Sequence, residues 1–385
     1  MARNRVIYQS EALYVSKNIN STTSGEHAQL KRVQSANYNF SIERQDVNQF
    51  GQLARIDALV LKSPTVALDF TYYPTDGYNE KALGFYVQTG NMTEANFASG
   101  QMGGSSGQNF YIITAEEGSD LNTLAGASAL SGKSAIAIGN GFLSNYTFNA
   151  SVGNLPTASV SIEGLNIKSS TISGTSNGDT GNFVPSPTIS PVLGTELGYT
   201  GRLVSPTEAT GTTQTTALRP GDLTISFGDY TGSTATGSPL AALAGNDGIN
   251  IQSVSLTLPL SRTPIERLGS KFAFARVVDF PIVSTLNVSA ILNEIQSKSL
   301  AQMLDDNSKR EITLTIKKPG QTANAMVFKF KGSQLQSESF SSSIGANKTV
   351  DLVFQTQVGG PTDTSNGIYL SGSYAEATLS GNWGY

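Results

Sequence analysis

The chain contains no cysteine, one histidine and one tryptophan among its 385 residues. The first absence excludes disulfides, thiolate metal sites and a cysteine nucleophile. It leaves the compartment open, because cytosolic proteins and assembled extracellular particles can both do without disulfides. The histidine, His27, lies in the polar segment Ser24-Gly25-Glu26-His27-Ala28. Catalytic triads and most zinc sites need a histidine beside other specific groups, so His27 reads as a solvated loop residue. The tryptophan, Trp383, stands almost at the C-terminus and offers little for sugar stacking, which disfavours a two-carboxylate glycosidase. Long apolar runs are missing as well. No stretch approaches the ~20 residues of a membrane span, and Met1 to Tyr8 has no secretory apolar region. Synthesis as a soluble protein in the cytoplasm, without membrane insertion, is therefore expected, and the glycosylation sequons at Asn91, Asn145 and Asn347 carry no implication.

Charge is sparse. Charged residues make up 14% of the chain, 25 basic against 29 acidic, for a net charge of −4, and neither sign forms a block. Nucleic acid held by phosphate neutralisation needs a basic patch or stripe, so any contact with DNA should be non-adhesive. What is abundant is Gly, Ser, Thr and Asn, a balance that favours strands, turns and ordered loops over helices. The length suits two domains, each able to bury its own core.

The chain resembles itself. Residues 33–51, VQSANYNFSIERQDVNQFG, lie without a gap on residues 251–269, IQSVSLTLPLSRTPIERLG. Gln34 meets Gln252, Arg44 meets Arg262 and Gly51 meets Gly269, and the apolar positions agree. In a second block, residues 143–157 lie on 335–349, with Phe148 on Phe340 and Gly153 on Gly345. Two ungapped blocks in the same order indicate an internal repeat. Within them apolar residues alternate, as in Tyr38-Phe40-Ile42, Leu256-Leu258-Leu260, Ala158-Val160-Ile162 and Val350-Leu352-Phe354, the period of half-buried strands. Further strands are predicted around Leu68-Phe70-Tyr72, Ile136-Ile138, Leu223-Ile225-Phe227, Ile312-Leu314-Ile316 and Met326-Phe328-Phe330.

The expected fold is mainly β: two tandem antiparallel sandwich or barrel modules, each with about one flanking helix. Helix candidates are 291–304, Asn79–Leu83 and Ser119–Leu124. The expected organisation is an N-terminal arm (1–32) ordered by an adjacent subunit, module 1 (33–167), a Ser/Thr/Gly/Pro-rich linker or surface excursion (168–247), module 2 (248–360) and a C-terminal extension (361–385).

Motifs for chemistry are few. Gly132-Lys133-Ser134 lacks the preceding glycine of a phosphate loop, that place being Ala127, and a strand pattern follows it. Glu116, Glu117 and Asp120, and then Asp305-Asp306, lack the alternating ligand pattern of a calcium loop and read as solvated loop ends. In a pore lining, Glu116 and Glu117 would repel passing phosphate. No catalytic, cofactor-binding or metal residue emerges, and no cofactor is expected.

Gln29 to Tyr38 (QLKRVQSANY), Arg44 to Gln52 (RQDVNQFGQ), Pro64 to Tyr73 (PTVALDFTYY) and Asn79-Glu80 resemble the tail tube proteins of tailed bacteriophages. That resemblance covers mainly the first module. It implies a β-sandwich with a flanking helix, whose inner sheet closes with its neighbours around a lumen, in stacked rings through which DNA passes. It implies as partners further copies of the chain, tape-measure, tail terminator and tail-tip proteins, and location in the virion tail. A repeated module makes three chains equivalent to a six-module ring, a trimer with approximate sixfold symmetry. Two other readings stand beside it: a virion decoration or adhesion protein, and another tail component, terminator or connector, with the same fold.

Overall fold

The computed structural model describes residues 11–22, 24–89, 92, 95–102, 107–117, 121, 130–174, 182–190, 193–197, 201–203, 217–229, 249–292, 309–341, 347 and 349–374. Among them the chain is mainly β with two short α-helices. The first half runs β1 (Glu11–Ser16), β2 (His27–Gln29), β3 (Val33–Ser41), β4 (Arg44–Val47), β5 (Asp57–Val60), β6 (Thr65–Tyr72), α1 (Tyr78–Ala82), β7 (Val87–Gln88), α2 (Ser99–Met102), β8 (Gln108–Thr114), β9 (Ser134–Ser151), β10 (Thr157–Gly164) and β11 (Asn166–Thr171). Four two-residue strands follow: β12 (Asn182–Phe183), β13 (Ile189–Ser190), β14 (Thr195–Glu196) and β15 (Arg202–Leu203). The second half runs β16 (Leu223–Asp229), β17 (Ile249–Pro259), β18 (Arg262–Ile265), β19 (Ala275–Val278), β20 (Ile282–Leu292), β21 (Arg310–Lys317), β22 (Asn324–Ser341), β23 (Thr349–Val358) and β24 (Gly367–Gly372).

Alternation sets which face each strand buries. In β10, Ala158, Val160 and Ile162 point inward while Ser159, Ser161 and Glu163 do not, and β21 repeats the pattern with Ile312, Leu314 and Ile316. The strands assemble into two layers. One is a continuous run in the order β3-β6-β10-β9-β17-β20-β23-β22. The other covers its apolar face and comprises β1, β8 and β11 with the first part of β9, then β16, β21 and β24 with the first part of β22.

β9 and β22, each 18 residues long, serve both layers and bend between them. The bend in β9 falls at Gly139-Asn140-Gly141. A Cβ on Gly141 would lie 2.8 Å from the Phe110 ring, so the two layers meet this closely only because the side chain is absent.

The two halves share strand order and register at the spacings seen in the sequence. Ala36 opposite Phe70 in β3–β6 corresponds to Val254 opposite Val288 in β17–β20. Phe148 opposite Ala158 corresponds to Phe340 opposite Val350. The β-bulges coincide: register shifts at Gln34 and at Gln252, and each of these side chains donates to the carbonyl two residues before it. Bulges also fall at Ser144 in β9 and Gln336 in β22. In the covering layer, β1 on β8 on β9 parallels β16 on β21 on β22.

Several expectations are corrected. The halves are not separate sandwiches, because β17 pairs with β9 and one apolar core runs beneath both. Phe85 and Phe97 stack at 4.0 Å, each packs edge-on against Tyr146, and Phe97 meets Phe328 of the second half at 6.3 Å. Of the expected N-terminal arm, residues 11–30 pack within their own chain: Leu13, Val15, Ala28 and Leu30 are buried, and β1 pairs with β8 and β2. Residues 367–372 are no extension, since β24 pairs with β22 and, in parallel, with β7. Of the supposed linker, 168–171 belongs to β11 and 223–229 to β16, the latter joining β21. Such short strands bury apolar residues largely through partners far away in sequence, which local composition does not reveal.

The helix predicted at Asn79–Leu83 is α1. It follows the turn at Pro74–Gly77, where the Asp76 carboxylate accepts the Tyr78 N–H at 3.1 Å, and Asn79 pins the backbone of Lys31 through two 2.8 Å bonds. In the 291–304 prediction, Ile291 and Leu292 instead end β20, and the rest lies outside the described residues. The Ser119–Leu124 prediction lies outside them too, apart from Leu121. α1 carries Glu80 into the core, where the Tyr72 and Tyr146 hydroxyls donate to its carboxyl at 2.8 and 3.2 Å. Burial raises that carboxyl to about 7 against an ordinary 4.5.

Candidate assembly interface

Three surfaces of the long layer stand out. The first is its solvent face. One row across all eight strands reads Ser35, Thr71, Ser159, Thr147, Thr257, Thr285, Gln355 and Gln334. None of these eight strands carries a Lys or Arg along its length in this layer. The acids here are Asp69, Glu163 and Asp351, and Glu163 is matched at 2.8 Å by the Arg276 guanidinium, which reaches over from β19. A face of small hydroxyls and amides with a slight acidic bias, its one overreaching cation among the described residues, Arg276, already paired with Glu163, offers no free cation to neutralise a phosphate backbone.

The second surface is a pair of hairpins, β4–β5 and β18–β19, that leave the layer at equivalent points. Gly51 and Gly269 turn them with φ of 83° and 85°, a left-handed conformation that glycine adopts without cost. Both hairpins expose apolar residues in matching positions: Val47 and Ile265, Phe50 and Leu268, Ile56 and Phe274, Leu59 and Val277. Exposed apolar clusters on this scale mark protein contacts. The ion pairs alongside, Arg55–Asp46 and Lys62–Glu43, are solvent-exposed and contribute little.

The third surface is the pair of edges. The layer ends on β3 at one side and on residues 334–341 of β22 at the other, and no described strand pairs on the far side of either. β3 corresponds to β17 and β22 to β9, the two strands that pair in the middle of the layer. An open edge is a template for another strand.

The remaining sequence-selected residues fall as follows. Arg262 is largely enclosed at the β9–β17 junction, whereas Arg44 is exposed. Phe148 is buried and Phe340 exposed. Gly153 turns β9 into β10 at φ 83°, and Gly345 lies outside the described residues. Glu116 and Glu117 sit in the exposed loop after β8, in the covering layer, not on the polar face. Asp120 and Asp305-Asp306 lie outside the described residues. His27 is not a loop residue: it is half-buried in β2 with its ring 5.7 Å from that of Tyr111. Lys133 is followed directly by β9, so no helix stands there to receive a phosphate. The acids of the polar face were missed, although the run of Lys- and Arg-free strands was a signal available in the sequence.

No protein-family profile matches this chain, and no curated protein matches it at a significant level.

Proposed function

We propose that the chain is a non-enzymatic structural subunit of a hollow tube of the phage tail-tube type, built of two diverged copies of one module. The observation that carries this reading is the pair of open edges, because their counterparts already join inside the chain. A head-to-tail repeat of that junction continues the sheet from copy to copy, and a twisted sheet continued in this way closes into a barrel. The contact is heterologous, so closure makes a ring.

Three copies supply about twenty-four strands. At ~4.8 Å spacing and ~40° tilt such a barrel has a backbone radius on the order of 24 Å, wide enough for a DNA duplex. Its polar face then lines the lumen, and DNA passes without specific binding. The apolar hairpins supply the axial contacts between stacked rings. Tape-measure, terminator and tail-tip proteins are the partners, and the virion tail is the location, on the strength of the resemblance described above.

Negative-stain electron microscopy of the purified chain tests this. Hollow threefold rings, alone or stacked, are expected. Monomers or solid particles at high concentration would overturn the proposal and bring the decoration or adhesion reading forward.

A further inference from the structure

If the ring reading holds, the junction inside the chain is a template for the junction between chains, residue by residue. β17 meets β9 with Ser255 opposite Asn149, Leu256 opposite Phe148 and Leu258 opposite Tyr146, and the Leu260 N–H donates to the Ser144 carbonyl at 2.8 Å. The spacings that relate β17 to β3 and β9 to β22 convert these contacts into Asn37 opposite Ser341, Tyr38 opposite Phe340, Phe40 opposite Glu338 and Ile42 beside Gln336. Exposure follows the conversion. Leu256, Leu258 and Leu260 are 1%, 0% and 0% exposed, whereas Tyr38, Phe40 and Ile42 are 43%, 59% and 43% exposed. The same positions are covered where the junction exists and open where the chain's sheet ends, which identifies the missing cover as a second copy.

One side chain clasps the internal junction. Arg262 opens β18, its Nη2 donates to the Gln101 carbonyl at 2.9 Å, its Nε reaches the Leu143 carbonyl at 3.5 Å, and its guanidinium lies 5.1 Å from the Phe142 ring centroid. Arg44 opens β4 at the matching position and is exposed, while Leu335 in β22 matches Leu143. We infer that Arg44 of one copy clasps the Leu335 carbonyl of the next, in a head-to-tail junction whose register sets Tyr38 opposite Phe340. Arginine suits the position because its planar fork can bond several carbonyls at once while its face stays packed. Lysine gathers its three donors on one compact ammonium and cannot span separated carbonyls while packing a flat face.

Paired cysteines read the register directly, since the chain has none of its own. Asn37→Cys with Ser341→Cys lies on the polar face and keeps Tyr38 and Phe340. Oxidation is expected to give covalent multimers up to a closed trimer on a non-reducing gel. Asn37→Cys with Ser339→Cys sets the thiols two residues out of register, ~7–8 Å apart and beyond disulfide reach, and is expected to stay monomeric. Cross-linking of the shifted pair, or of neither pair in preparations that still form rings, overturns the register and leaves the ring reading standing. Absence of rings in the unaltered protein overturns both.

Arg44→Ala is expected to raise the protein concentration needed for assembly by about tenfold, the loss of a charge-assisted hydrogen bond, without moving the urea midpoint of the monomer. Arg262→Ala lowers that midpoint. An assembly threshold unchanged by Arg44→Ala removes Arg44 from the junction.

Discussion

Replacing Glu80 by glutamine should change how stability depends on pH. The Glu80 carboxyl is enclosed between the layers, and burial raises it to about 7 from an ordinary 4.5, although the hydroxyls of Tyr72 and Tyr146 pull the other way. A carboxyl raised in the fold holds its proton more tightly folded than unfolded. Below pH 4.5 it is protonated in both states and costs nothing. Between pH 4.5 and about 7 the unfolded chain releases the proton first, so stability falls as pH rises. Above about 7 the full penalty is present. At ~1.4 kcal/mol per pH unit the span amounts to roughly 3 kcal/mol. Glutamine keeps the shape and can still accept from a tyrosine hydroxyl, but does not titrate. The assay is urea denaturation of both proteins at intervals from pH 4.5 to 8. Other titrating groups, and any self-association through shared edges, cancel in the difference. The wild-type protein should lose about 3 kcal/mol relative to Glu80→Gln across the window. A flat difference, or a wild-type gain with rising pH, would refute the account of Glu80 as a carboxyl kept neutral by burial.

Equivalent positions should respond unequally. Leu256→Ala in the buried junction should cost about 2–5 kcal/mol in denaturant unfolding. Tyr38→Ala, at the open edge, should cost less than about 1 kcal/mol in the monomer yet abolish rings under the electron microscope. Gly269→Ala meets no neighbouring atom, so only its backbone conformation is penalised, by about 1–2 kcal/mol, read as faster hydrogen exchange in β18–β19. Phe50→Ser combined with Leu268→Ser should leave single rings but eliminate stacked tubes, seen as a shift of sedimenting material to ring-sized particles.

Much of the strand content was legible because alternation follows from the two-residue repeat of an extended chain, and the strands marked by Leu68-Phe70-Tyr72, Ile312-Leu314-Ile316 and Met326-Phe328-Phe330 are β6, β21 and part of β22. The matched blocks at 33–51 and 251–269 were visible because the same bulge, hairpin and turn demand the same residues: Gln34 and Gln252 at the bulges, Gly51 and Gly269 at positive φ. β1 and β24 were not legible. Each is a six-residue strand whose longest pairing, with β8 for β1 and with β22 for β24, is to a strand about a hundred or more than thirty residues away, and local composition carries no trace of such pairing.

By itself, then, the sequence determined that the chain is mainly β, poor in charge and free of cysteine chemistry, and that two stretches must adopt the same local geometry, because these properties depend on residue type and near neighbours. The tertiary structure alone decided that β9 and β17 join the halves into one layer, that Leu256 is covered while Tyr38 is open, and that Arg276 of β19 meets Glu163 on the layer's polar face. Those are outcomes of long-range pairing, in which a strand with the same pattern is core or edge according to what lies beside it.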